Sequence, residues 1–286
     1  MSEVKLVSVS HSRNIEGVKT AEEFIAYTAR VSNPTNQINN ETAPKLLAYL
    51  VKHSHWSPFE MVNVCIEIKT TRDIGRQILR HRSFSFQEFS QRYAEVNDNF
   101  EFREARIQDL KNRQNSLPID NDSTLSGVWE EIQRKVAIQA RDSYNKAIEL
   151  GIAKEQARAV LPEGMTKSTM YMSGTLRSWI HYCQLRMANG TQLEHQLVAI
   201  ACWKIITEEF PSLNTLIEHD TEKSAEPVKT GVPEQINKSA FFSMMDEWAQ
   251  ANLPPIPKNW RDAKLPDEKP PAKWDQMGGV PVSSVQ

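Results

Sequence analysis

The sequence predicts an α+β protein, a central sheet flanked by helices and followed by a helical C-terminal part. Two kinds of pattern predict it. Residues 62–69 alternate Val62, Val64, Ile66 and Ile68 with Asn63, Cys65, Glu67 and Lys69, the period-two signature of a strand with one buried face. Elsewhere apolar residues recur at threes and fours between capping and stop signals, as helices require.

In chain order, Thr20 with Glu23 forms a capping-box signature ahead of FIAYTARV, which predicts a helix near 20–31. Turn-rich NPTNQINN at 33–40 separates it from APKLLAYLVKH, a second helix. After the 62–69 strand, TTRDIGRQILRHR returns to helical composition, with Gly75 its weak point. From 126 to 150 the residues Ile132, Val136, Ala140, Tyr144 and Ala147 share helical spacing, and Gly151 follows as a C-terminal cap. KEQARAVLP reads as a short helix stopped by Pro162, and TKSTMYMSG as a strand or extended link. The C-terminal part comprises TLRSWIHYCQLRM at 175–187 and a helix opened by Thr191 with Glu194 and closed at Pro211.

The main body is expected to span 1–220. Nine of the fifteen prolines lie in 221–286, which reads as a Pro-rich extension, wrapped over the body through Phe241, Phe242, Trp248, Trp260 and Trp274.

The balance of 34 basic against 36 acidic residues, net −2, provides no global field for nucleic acid or an anionic membrane, so any anion must be captured locally. The N-terminal stretch lacks a basic region followed by a sustained apolar run, and the longest apolar run, LVAIACW at 197–203, is too short to span a bilayer. A cytoplasmic protein is expected. Cys65, Cys183 and Cys202 are odd in number and widely separated, which fits reduced structural thiols better than a disulfide framework.

Neither G-x-G-x-x-G nor a P-loop occurs, so a bound nucleotide must be held by side chains. His53 and His55 lack a third ligand nearby, and their bland reading is a polar turn, with no metal expected. The informative stretch is RHRSFSFQEFSQRY at 80–93. Arginines, a histidine, a glutamate and hydroxyls among phenylalanines suit neither a plain surface nor an unpaired core. Arg76 and Arg80, four apart, are expected on one helix face with Gln77 beside them. If 86–93 is extended, Glu88, Ser90 and Arg92 line one wall. Carbonyl, N–H and phosphate groups of a pyrimidine monophosphate suit such a wall, with Arg80 and Arg92 supplying forks. A salt-bridged structural network is the alternative.

The motif Arg80, His81, Arg82 and Ser90, with Ser85, Glu88 and Arg92 at their places, resembles the signature of the flavin-dependent thymidylate synthases, the ThyX family. HWSPFE at 55–60, RQILRHR, ARAVLP and TLRSWIHYCQLR extend the resemblance over roughly 1–220. It implies a mainly antiparallel central sheet and reductive methylation of dUMP to dTMP. Methylenetetrahydrofolate would give the carbon, FAD would carry hydride, and NADPH would reduce the flavin. It also implies a homotetramer with active sites between subunits.

By position the resemblance assigns dUMP contacts to Gln77, Ile78, Leu79, Arg80, Glu88, Phe89, Ser90, Gln91, Arg92, Arg158 and Arg186. It assigns FAD contacts to Ser57, Arg80, His81, Arg82, Glu88, Thr175, Leu176, Arg177 and His181, with His55 near the folate or nicotinamide approach. Thr175 and His181 stand where many members carry asparagines. Arg186 would be catalytic, its planar fork polarising the uracil toward an electron-rich ring. Arg177 and Arg186 lie about 180° apart round a helix, so both faces need partners.

Neither Cys65, in the strand, nor Cys202, in an apolar helix, sits in a setting that would activate a thiolate as nucleophile, while Cys183 lies nearer the motif with a packing role beside the ligand left open. Two other classes compete with this reading. A nucleic-acid module would set Arg76, Arg80, Arg82 and Arg92 on phosphates with Phe84, Phe86 and Phe89 stacking on bases. A metal-dependent nucleotide hydrolase would need ligand spacing that the histidines and acids do not supply.

Overall fold

The computed structural model describes residues 2–97, 99–119 and 123–214. The Pro-rich extension and its aromatic residues therefore lie outside the described residues. A four-stranded antiparallel sheet organises the fold, in the order β1 (Glu3–Val9), β2 (Asn63–Thr71), β6 (Lys167–Thr175), β3 (Ser85–Glu88). Alternation on β2 places Val64, Ile66 and Ile68 opposite Gly174, Met172 and Met170 of β6, all on the buried face. Phe86 of β3 pairs with Met172 and extends that layer.

Helices cover this face. α1 (Ala21–Ala29) carries the expected capping box, with Glu23 N donating to Thr20 Oγ1 at 3.1 Å and Thr20 N donating to Glu23 Oε2 at 2.9 Å. α2 (Ala43–Lys52), α6 (Leu176–Met187) and α7 (Leu193–Glu209) bury Leu47, Trp179, Ile180, Val198 and Ile206 in one core with the sheet. Gly174 leaves room for the Phe84 ring: a Cβ there would stand 2.5 Å from Phe84 Cδ1.

α3 (Arg72–Ile78) follows β2 directly. It is shorter than expected: the chain leaves the helix after Leu79, so Arg80 does not share a helical face with Arg76. Gly75 is a packing requirement rather than a weak point, because a Cβ there would lie 2.9 Å from Met170 Cε. The extended run past β3 also stops early. Tyr93 N and Ala94 N both donate to Ser90 O at 3.2 Å, closing a turn where 86–93 was expected to continue as a strand.

β4 (Arg106–Gln108) and β5 (Ser116–Pro118) form a separate two-stranded ribbon. α4 (Thr124–Glu149) ends before Gly151, whose φ of +79° suits glycine. Its buried face is Gln133, Ala137, Ala140 and Tyr144, while Val136 is exposed, one position off the expected stripe. Gln133 earns burial by bonding the Arg103 backbone from both ends, accepting from N at 2.7 Å and donating to O at 2.9 Å. α5 (Lys154–Ala157) passes into a short 3-10 turn before Pro162.

The second expected capping box is absent. Gln192 is the N-cap of α7 without a side-chain bond, and Glu194 turns instead to Arg103 and Arg106. Among the described residues no helix is long and apolar enough to cross a membrane.

Candidate functional site

The turn between α3 and β3 brings the RHR segment against α6. Arg186, on the last turn of α6, donates from Nε to His81 Nε2 at 2.9 Å. An arginine can only donate, so this imidazole nitrogen is bare and His81 is neutral. Burial first and the Arg186 charge second lower its pKa to about 4. Among the described residues no carboxylate pairs with Arg186, whose Nη1 and Nη2 make no hydrogen bond there. Its charge is therefore left uncompensated. The exposed side chains of Arg80 and Arg82 likewise find no acidic partner among the described residues.

Behind this cation lies a buried layer. The His81 ring sits edge-on to Tyr182 at 4.9 Å, and Tyr182 Oη meets Nε2 of the fully buried His195 at 3.2 Å. His195 Nδ1 reaches Gln77 Oε1 at 3.3 Å. Burial, then Arg186 and His81, lower the His195 pKa to about 3, and burial raises the Tyr182 phenol. Gln77, His81 and Arg186 thus form one connected group.

A second group surrounds the N-terminus of α6. Thr175 caps the helix, accepting from Ser178 N at 3.3 Å, and Ser178 Oγ donates to Ser83 O at 3.3 Å, tying the helix start to the RHR turn. Arg177 forms an ion pair with Glu60, which draws the 57–60 turn carrying Ser57 alongside. His181 stacks edge-on against Trp56, with ring centroids 4.6 Å apart, and burial followed by the Arg177 charge lowers its pKa. His55 is exposed on the same segment.

A third group lies where the Ser90–Ala94 turn meets α5. Arg92 Nε pairs with Glu155 Oε2 at 3.3 Å, and Arg158 Nε donates to Glu155 O at 3.3 Å. Gln91 is buried beside them with its Nε2 lacking a partner, and Phe89 is partly exposed. Among the described residues no hydrogen bond or ion pair joins this group to Arg186.

Glu88 is tied to β6 and to the start of α3. Its Oε1 accepts from Ser168 Oγ at 2.9 Å and pairs with Arg72 at 3.4 Å. Arg72 is buried, which lowers its pKa. Arg76, by contrast, reaches Glu163 at 3.4 Å near the surface. Hence Arg72, Arg76 and, of the two expected forks, Arg92 follow the salt-bridged alternative, while Arg80, Arg82 and Arg186 do not among the described residues. Ile78 and Leu176 face the core, so their side chains are unavailable to a ligand.

All three cysteines are free; burial raises each thiol, consistent with none being a nucleophile.

Sequence reasoning missed Arg72, Tyr182 and His195. His195 had a readable signal: it shares a helical stripe with Val198, Ala199 and Cys202, and a polar residue on an apolar stripe needs buried partners.

Comparison with known proteins gives a consistent result. Residues 15–212 match the family model described as thymidylate synthase complementing protein. A "Probable flavin-dependent thymidylate synthase" of Paramecium bursaria Chlorella virus 1 is 56% identical over 211 residues, covering 73% of this chain and 95% of the relative. A flavin-dependent thymidylate synthase of Synechocystis sp. is 47% identical over 197 residues, covering 69% and 89%. Among solved structures, the UMP/dUMP methylase PolB from Streptomyces cacaoi, bound to 5-Br dUMP, superposes with a TM-score of 0.63 at 24% identity. It covers 74% of this chain and 94% of its own, a likeness in fold.

Proposed function

The chain belongs to the flavin-dependent thymidylate synthase family, and from that premise we propose how its residues methylate dUMP to dTMP. The carbon comes from methylenetetrahydrofolate, the flavin is FAD, and NADPH is the reductant. Residues 1–220 form the catalytic domain, with 221–286 an extension to it. The single observation that carries this reading is the guanidinium of Arg186, which no carboxylate of the described residues compensates and which a neutral imidazole braces.

Nε of Arg186 is committed to His81, which fixes the plane of the fork while both terminal amino groups stay available. Directed at the carbonyl and N3 edge of uracil, they stabilise negative charge developing in the ring and leave C5 electron-rich. Had a carboxylate neutralised the guanidinium, this electrostatic contribution would be largely lost. Gln77 contacts the pyrimidine from the same group. Ser90, Arg92 and Arg158 take the phosphate, with Arg92 exchanging a surface partner, Glu155, for a ligand of higher charge.

The residues present also suit a flavin dinucleotide. Arg80 and Arg82, which have no acidic partner among the described residues, suit two phosphates, the Trp56–His181 pair offers an apolar edge, and Thr175 and Arg177 lie at the adjoining helix start. Bound there, the cofactor supplies hydride chemistry that no side chain can. His55 and Ser57 line its approach. No hydrogen bond or ion pair among the described residues joins the phosphate group to the pyrimidine group, and we propose that a homotetramer completes each site with residues of two subunits.

An absorbance spectrum of the purified protein should show bound flavin, and dTMP should form from dUMP only with methylenetetrahydrofolate and NADPH present. A colourless protein that takes up no added FAD would sink the proposal.

A further inference from the structure

Gln77 is the middle link of a hydrogen-bonded chain that the catalytic reading does not use. Gln77 Nε2 donates to Gln192 Oε1 at 2.7 Å, and Gln192 Nε2 donates to Glu194 Oε2 at 2.9 Å. In the other direction lie His195 Nδ1 at 3.3 Å from Gln77 Oε1, and Tyr182 Oη at 3.2 Å from His195 Nε2. Amides, a hydroxyl and a neutral imidazole each donate and accept, so such a chain could run either way. Its far end decides. Glu194 is held by Arg103 and Arg106, and an ionised carboxylate only accepts.

The direction then follows link by link. Gln192 must offer its NH2 to Glu194, so its carbonyl faces Gln77. Gln77 must offer its own NH2 to that carbonyl, so Oε1 faces His195. His195 must therefore carry its proton on Nδ1, and its bare Nε2 accepts from the Tyr182 hydroxyl.

We infer that His195 is a positioning residue for the methylation reaction: with its Nδ1 proton aimed at Gln77 Oε1, it braces from the buried side the flip state that Glu194 sets through Gln192, so that the Gln77 amide presents the correct donor and acceptor to the pyrimidine. A freely flipping glutamine would offer a carbonyl where an N–H is needed half the time, and would pay for ordering on each binding event. The exposed Gln192 link is the softest in the chain, since water competes there, whereas His195 is fully buried. The inference rests on the reading of Gln77 as a pyrimidine contact.

Two measurements test it. The first needs no substrate: ring 15N shifts of His195 in the flavin-loaded enzyme, assigned by difference with His195→Asn. Nδ1 should be protonated and Nε2 bare, and Glu194→Gln should give a mixture of tautomers; Gln192→Ala, at an exposed position, should do the same if the first variant fails to fold. A wild-type ring protonated on Nε2, or one unchanged in both variants, overturns the inference. The second compares His195→Asn, whose amide overlies Nδ1, with His195→Gln, whose amide overlies Nε2. The asparagine should keep the bond to Gln77 and bind dUMP near normally, while the glutamine should weaken it by about tenfold at equal flavin content. Equal affinities would overturn the role. Wild-type enzyme that binds no dUMP would instead refute the proposed function, leaving the tautomer result to stand or fall separately.

Discussion

Replacing Glu88 by glutamine removes one charge from the interior while keeping the shape and the acceptor for Ser168. The cation left behind is Arg72, whose side chain is 7% exposed, facing a Glu88 side chain that is 17% exposed at 3.4 Å. At an effective dielectric of about 20 the direct attraction is roughly 5 kcal/mol. Desolvation of the carboxylate offsets part of it, and Glu163, 4.0 Å from Arg72 Nε but 57% exposed, retains a little of the compensation. A net loss of about 2–3 kcal/mol follows, somewhat below the usual cost of orphaning one member of a buried pair.

For a folded body of this size that loss corresponds to a fall in Tm of roughly 5–10 °C. The assay is near-UV circular dichroism melting of flavin-free protein at one fixed concentration, because ligand and assembly both shift Tm. A cycle with Arg72→Met completes it. The double variant has no buried cation to strand and should recover most of the loss, giving a coupling of about 2 kcal/mol. A Glu88→Gln Tm within about 1 °C of wild type, or strictly additive losses, would refute the view that this pair is a coupled buried unit.

Arg186→Ala should retain the flavin spectrum yet lose dTMP formation by about a hundredfold or more, as expected when a preorganised donor is removed; near-normal turnover would contradict its role. Arg92→Ala should weaken dUMP binding about tenfold with little change in Tm, since its Glu155 pair is half exposed; isothermal titration calorimetry reads the first and scanning calorimetry the second. Gly174→Ala pushes a Cβ to 2.5 Å from Phe84 Cδ1, and Trp179 at 4.9 Å blocks the ring's retreat; the urea midpoint should fall by the equivalent of about 1–3 kcal/mol and recover with Phe84→Leu. His81 and His195 are held at about 4 and about 3, below an unfolded value near 6.5. Between those limits the unfolded chain binds protons that the folded chain does not, so stability should decline as pH falls from about 6.5 toward 4. His195→Asn should flatten that decline, and a pH-independent melting temperature would argue against buried neutral imidazoles.

Local patterns were enough for much of this molecule. Alternation in 62–69, the Thr20–Glu23 box and the glycine after α4 act within a few residues of chain, so strand, helix start and helix end were legible without any partner. The stretch around RHR likewise stood out, since three arginines, a carboxylate and hydroxyls among phenylalanines suit neither a plain surface nor an unpaired core. Pairing belongs to the tertiary structure alone. Nothing in the order of residues says that Arg72 rather than Arg80 meets Glu88, that Glu194 abandons a cap for two arginines, or that Arg186 finds a histidine instead of an acid. Those partners come from segments up to 105 positions apart in the chain, and a charge's value depends on what folding places beside it and on how much water folding takes away.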